Sequence, residues 1–148
     1  MSDPNSRVER ELGLLLRRAH SSSSAVAARV HPDLDAAAYP LLVRIAAAPG
    51  MRSSELADHV GVGRATISRQ VRRLEDLGLL TRRPDPDDSR GQQLELTAEG
   101  ARRLAEAQEA RRAWLRAALA SWDDDAVATL ATSLERLNLT LDQVTRRP

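Results

Sequence analysis

Residues 53–97 read SSELADHVGVGRATISRQVRRLEDLGLLTRRPDPDDSRGQQLELT, and the order of local signals in this stretch decides the fold. Ser53 can cap a short helix by accepting from the backbone of Glu55 and Leu56, and that helix ends at Gly61. Gly61-Val62-Gly63 allows the chain to reverse tightly. A longer helix follows from Gly63 or Arg64 to Asp76, with Gly78 as its terminating glycine. Residues 79–83 and 92–97 are extended runs, and the turn formers at 84–91 between them predict a β-hairpin with a long tip. Helix, glycine turn, longer helix and hairpin make a helix-turn-helix followed by a wing. Leu56, Ala57, Val60 and Val62 supply the expected apolar contacts between its two helices.

The longer helix has two chemically distinct faces at 3.6 residues per turn. Ile67, Val71 and Leu74 fall on a narrow arc and must face a core. Ala65, Arg69 and Arg72 occupy the opposite arc, flanked by Thr66, Ser68 and Arg73. Arginine can bond guanine O6 and N7, serine and threonine can bond bases or phosphates, and alanine allows close approach, so this face suits a major groove. Residues 64–83 hold six arginines against Glu75 and Asp76, a net of +4, whereas residues 52–100 hold eight arginines against nine acids. Positive charge is therefore concentrated on one helix and the base of the hairpin. A surface that grips another protein would expose apolar anchors there instead. At the hairpin tip, Asp88 is expected to pair with Arg90 or a nearby arginine and hold it, leaving Arg90 to enter a minor groove.

Outward from this lobe the chain reads as helix. Val8, Leu12, Leu15, Ala19, Val26 and Val30 keep one face apolar, with Ser22 filling the series, and His31-Pro32 ends the segment. A second helix, capped by Asp33 or Asp35, passes through Leu41, Leu42 and Ile45, with Pro40 bending it or opening its first turn. Thr97 caps a fifth helix over about 98–120. Ser121 and Asp124 form a capping box for a sixth. In that helix Val127, Leu130, Leu134, Leu137, Leu141 and Val144 step by three and four, a heptad seam best buried against a second copy of the chain.

The 148 residues are 42% hydrophobic and 29% charged, with a net charge of +1 and no cysteine. Disulfides, thiolate metal sites and a cysteine nucleophile are excluded. His20, His31 and His59 lack ligand spacing, which predicts no metal site and no cofactor. No nucleophile–base pair or phosphate loop suggests an enzyme. The polar N-terminus and the lack of a long apolar run predict a cytoplasmic protein without membrane contact. All 22 basic residues are arginine, and the aromatic residues are Tyr39, Trp114 and Trp122, so the core must be aliphatic.

The motifs Ser54-Glu55-Leu56-Ala57, 66–75 (TISRQVRRLE), Gly78-Leu79-Leu80, 82–90 (RRPDPDDSR) and Leu96-Thr97-Ala98-Glu99-Gly100 together resemble the MarR family of winged helix-turn-helix regulators. The resemblance implies one domain over 1–148. It is mainly α with a small β-hairpin wing: a winged lobe at 33–97 and dimerisation helices at 6–31 and 98–146. It implies a homodimer that binds palindromic promoter DNA, usually as a repressor. Carried over by position, the double-stranded DNA contacts fall on Arg64, Thr66, Ser68, Arg69, Arg72 and Arg73, with Arg90 in the minor groove and Ser53 presenting a helix N-terminus to a phosphate. Many such regulators are released by a small phenolic or amphipathic ligand. His20, Tyr39 and Trp114 are the candidate contacts for such an effector here. The alternative is a ligand-independent regulator controlled by its own concentration or by a protein partner.

Overall fold

In the computed structural model, which describes residues 3–145 apart from the side chains of His20 and Thr145, the lobe is built from six short elements. They are α2 (Tyr39–Ala47), β1 (Met51–Arg52), α3 (Ser53–Val60), α4 (Arg64–Asp76), β2 (Leu80–Asp85) and β3 (Asp88–Leu96). Before them runs α1 (Pro4–Val30), and after them α5 (Ala98–Ala118) and α6 (Asp124–Thr145). The chain divides into two compact units, Met1–Glu109 and Ala110–Pro148. The division falls within α5, whose buried positions Gly100, Leu104 and Ala107 all precede it.

The core of the first unit is aliphatic. Leu42, Ile45, Leu56, Ile67, Leu74, Leu79, Leu94, Val30 and Val71 are fully buried. Ile67, Val71 and Leu74 are the inward arc read from the sequence of α4. Burial of each such side chain stabilises the fold by about 1.5–3 kcal/mol before ordering costs. Val60 and Val62 do not join this core. Both are exposed at the surface of the turn, where Gly61 takes φ +72° and closes α3.

Several helix ends differ from the sequence reading. Neither Asp33 nor Asp35 caps α2. Residues 31–38 instead make successive backbone turns, Leu34 N–H to His31 O at 3.0 Å and Ala38 N–H to Asp35 O at 2.9 Å. Pro40 then sits in the first turn of α2, where a missing N–H costs nothing. Ser53 is the first residue of α3, not its cap. The cap position is Arg52, whose backbone N–H donates to the Glu55 carboxylate at 2.7 Å. Ser121 does not cap α6, because Asp123 lies at the right place and accepts from Ala126 N–H at 2.7 Å. Thr97 does cap α5, accepting from Gly100 N–H at 2.9 Å.

The sheet has the antiparallel order β1-β3-β2. Its hairpin is tighter than expected. The strands continue to Asp85 and restart at Asp88, so the tip is Pro86-Asp87 rather than 84–91. The cause is local: the Asp85 carboxylate accepts from Asp87 N–H at 2.9 Å and closes the turn. The first strand is an addition to the hairpin: its two residues, pairing Met51 with Leu94 and Arg52 with Gln93, are too few to carry a periodic signal.

The apolar face expected along α1 is buried only at its C-terminal end. Ala27 and Val30 are in the core and Val26 packs against it, whereas Val8 and Leu15 are exposed. No helix among the described residues is long and apolar enough to cross a membrane.

Candidate nucleic-acid interface

The outward face of α4 begins at the turn. Gly63 takes the cap position, and its carbonyl accepts from Thr66 and Ile67 N–H at 3.0 and 3.1 Å. From there Arg64, Ala65, Thr66, Ser68, Arg69, Arg72 and Arg73 all lie exposed, opposite the buried Ile67, Val71 and Leu74. The six arginines of 64–83 are not equivalent. Arg82 pairs with Glu75 at 3.0 Å and Arg83 with Glu95 at 2.7 Å. Arg73 reaches back to the Asp33 carbonyl at 3.5 Å. No carboxylate among the described residues pairs with Arg64, Arg69 or Arg72, which leaves three cations directed outward. This is a surface able to exchange hydrated counterions for phosphates and to offer paired donors to guanine.

The start of α3 and the hairpin border a cleft of about 460 Å³, lined by Arg52, Ser53, Ser54, Arg82 and Arg90 among others. Ser53 and Ser54 occupy the first turn of α3, where backbone N–H groups remain available to an anion. The structure thus brings Ser53 and Arg90 to one cleft. Of the two pairings expected for Asp88, with Arg90 or with a nearby arginine, the structure shows the second. Asp88 Oδ1 accepts from the Arg90 backbone N–H at 3.0 Å, which shapes the strand, and Oδ2 accepts from Arg52 Nη1 at 3.2 Å.

Arg52 is the residue that the sequence reading passed over. Its Nε donates to Asp85 Oδ2 at 2.8 Å, and Nη2 also bonds that oxygen. Asp85 is 7% exposed, the one buried charged side chain among the described residues. The Asp87 backbone N–H and then the Arg52 guanidinium hold its carboxyl below the usual carboxylate range, and the same pairing holds Arg52 above its ordinary value. A signal was present: an arginine stands immediately before Ser53-Ser54-Glu55, where a hydroxyl or carboxylate would make the better cap.

The candidate ligand contacts are placed separately. The His20 side chain lies outside the described residues. Tyr39 opens α2 and is buried in the core, and Trp114 is exposed on the later part of α5. On α6, Leu134, Leu141 and Val144 are exposed, while Val127, Leu130 and Leu137 are half-buried.

Residues 33–91 match the sequence model of the MarR family. Transcriptional regulator HosA of Escherichia coli O111:H- is 37% identical over 76 residues, 51% of this chain and 56% of its own length. A Thauera aromatica relative named for regulation of the hcr operon is 36% identical over 107 residues, 68% of this chain and 62% of its own. The matches therefore span less than two thirds of either relative. The fold is similar to that of Streptococcus pneumoniae FabT, solved in complex with DNA, with a TM-score of 0.82 at 17% identity, covering 95% of this chain and 99% of that one. By the match over residues 33–91 and by its fold, the chain is similar to the MarR family of regulators.

Proposed function

We propose that this chain is a transcriptional repressor that binds palindromic double-stranded DNA as a homodimer. The observation that carries the reading is the division of α4: Ile67, Val71 and Leu74 are sealed in the core, while Arg64, Arg69 and Arg72 are exposed without an acidic partner. In the proposed complex α4 lies in a major groove, with Arg69 and Arg72 toward base edges and Thr66, Ser68, Arg64 and Arg73 on base edges or phosphates. The cleft at Ser53 takes a backbone phosphate, and Arg90 enters the adjacent minor groove. Two copies related by a two-fold axis present their α4 helices about 34 Å apart, one turn of B-DNA. The DNA-bound structure of FabT supports this by likeness of fold.

Selection of duplexes from a random pool by the full chain tests it. The expected result is a two-fold symmetric sequence bound with steep salt dependence. No preference over random duplex would overturn the reading. Release by a small phenolic or amphipathic ligand is the further step of this proposal. It is checked by a thermal-shift panel of phenolic acids, and broad failure of the panel favours the ligand-independent regulator.

A further inference from the structure

We infer that Arg52 is a positioning residue that locks the wing to the start of α3, so that Arg90 meets DNA at a fixed place. The inference rests on the proposed DNA-binding reading. Its first ground is the use made of the position. Arg52 stands at the cap of α3, where Ser, Thr, Asp or Asn would satisfy a free N–H, yet its side chain makes no capping bond. The guanidinium instead crosses the sheet to the two carboxylates that bracket the hairpin tip, Asp85 and Asp88.

The second ground is geometry. Arg52 sits on β1, the strand that leads directly into α3, and β1 pairs with β3 only through Met51 and Arg52. Two backbone pairs are a weak hinge for a hairpin that must hold its tip against a polyanion. The Arg52 bonds add a side-chain tie from β1 to the hairpin tip, at Asp85 on β2 and Asp88 on β3. Asp88 is tied from both directions, since its other oxygen accepts from the Arg90 backbone N–H. Gly91 follows, and a Cβ there would come within 3.2 Å of Arg52 Cζ and 3.1 Å of Asp85 Cβ, so the guanidinium lies close against the strand that carries Arg90. Tip, α3 start and Arg90 backbone therefore form one connected unit around Arg52.

A competing role for Arg52 is direct phosphate contact, because it also lines the cleft. The two roles give opposite signs when an acid is neutralised. If Arg52 merely binds phosphate, Asp85→Asn or Asp88→Asn frees it and removes repulsion, and DNA binding tightens. If Arg52 positions the wing, the same changes loosen the wing and binding weakens despite the gain in net positive charge.

The test uses the full-length chain and a duplex that the unaltered chain selects from a random pool, with affinity read by fluorescence anisotropy. Asp88→Asn and Arg52→Gln are expected to weaken binding roughly three- to tenfold. Both should flatten the preference for A·T pairs beneath the wing, as Arg90→Ala should. Arg90→Ala should cost little further in an Arg52→Gln background, because the two changes remove one contact. Asp88 is half-exposed, so Asp88→Asn remains readable if Asp85→Asn fails to fold. Tighter or unchanged binding by Asp88→Asn, or losses at Arg52 and Arg90 that simply add, would overturn the inference while leaving the functional reading intact. Failure of the unaltered chain to select any duplex overturns both.

Discussion

Gly100 lies directly on the backbone of Leu79: a Cβ at position 100 would stand 2.1 Å from the Leu79 carbonyl oxygen. That oxygen accepts from Thr97 N–H at 3.1 Å, and Thr97 Oγ1 donates to the Gly78 carbonyl at 2.6 Å. The first turn of α5 is thereby bolted to the exit of α4. Gly78, at φ +71°, lets Leu79 N–H return to the Leu74 carbonyl at 3.0 Å and completes the joint. Gly100→Ala must push backbone from backbone, so a loss of about 1–3 kcal/mol is expected, the usual cost of overpacking. Urea denaturation measures it. In the proposed function the same variant weakens DNA binding by displacing α4, whereas Ala101→Ser, at an exposed neighbouring position, changes neither.

The outward arginines of α4 are expected to separate into two kinds. Arg69→Ala or Arg72→Ala should cost about 1–3 kcal/mol in DNA binding and relax the preference at one base pair, the signature of an edge contact. Arg64→Ala, at the first turn, should weaken all sequences alike and lower the salt slope by about one. None should shift the melting temperature by more than a degree or so, since an exposed arginine without an acidic partner contributes little to folding. Competition titrations with single-base variants of a selected duplex decide between the two kinds.

How much of this was legible in the sequence follows the range of the interaction concerned. The inward arc of α4, its glycine turn and the Thr97 cap were readable because each depends on neighbours within four residues. Arg52 was not, since its partners lie 33 and 36 positions away, and only the fold brings β1 beside the hairpin. The hairpin tip is shorter than its turn formers suggest for a related reason. Pro84 and Gly91 are turn formers, but Asp85 and Asp88 draw them into the strands through bonds to Arg52 and to the backbone. Asp33, Ser53 and Ser121 have the right chemistry for caps. In each case a better-placed backbone or carboxylate group satisfied the helix end first.

Acid should loosen the junction between α1 and α5. Arg102 and then Arg103 hold the Glu99 carboxyl at about 2, against an ordinary value of 4.5. Arg103, fixed in part by Glu99, also donates to the Val30 carbonyl at 3.2 Å, at the last turn of α1. A depressed carboxylate contributes stability that is full above its unfolded value and is lost as pH falls from about 4.5 toward 2. Glu99→Gln should therefore lower the melting temperature at pH 7, and the gap between variant and unaltered chain should close by about pH 2. A gap that persists unchanged at low pH would remove the carboxylate from the account.

The α6 seam gives the last expectation, which belongs to the proposed homodimer. Leu134 is 40% exposed and Val144 is 63% exposed. An arginine placed at an exposed leucine costs a single chain little, because its stem lies along the surface and its head stays in water. Buried in a heptad seam against a second copy, the same arginine would be desolvated twice, once in each subunit, at several kcal/mol per site. Leu134→Arg is therefore expected to leave the helical signal at low concentration intact while converting dimer to monomer. A two-fold duplex would then be bound much more weakly, and a half-site nearly as well as before. Sedimentation equilibrium across a hundredfold range of concentration reads the first effect, and anisotropy on full and half duplexes reads the second. A Leu134→Arg chain that sediments as a dimer would place the contact between copies elsewhere.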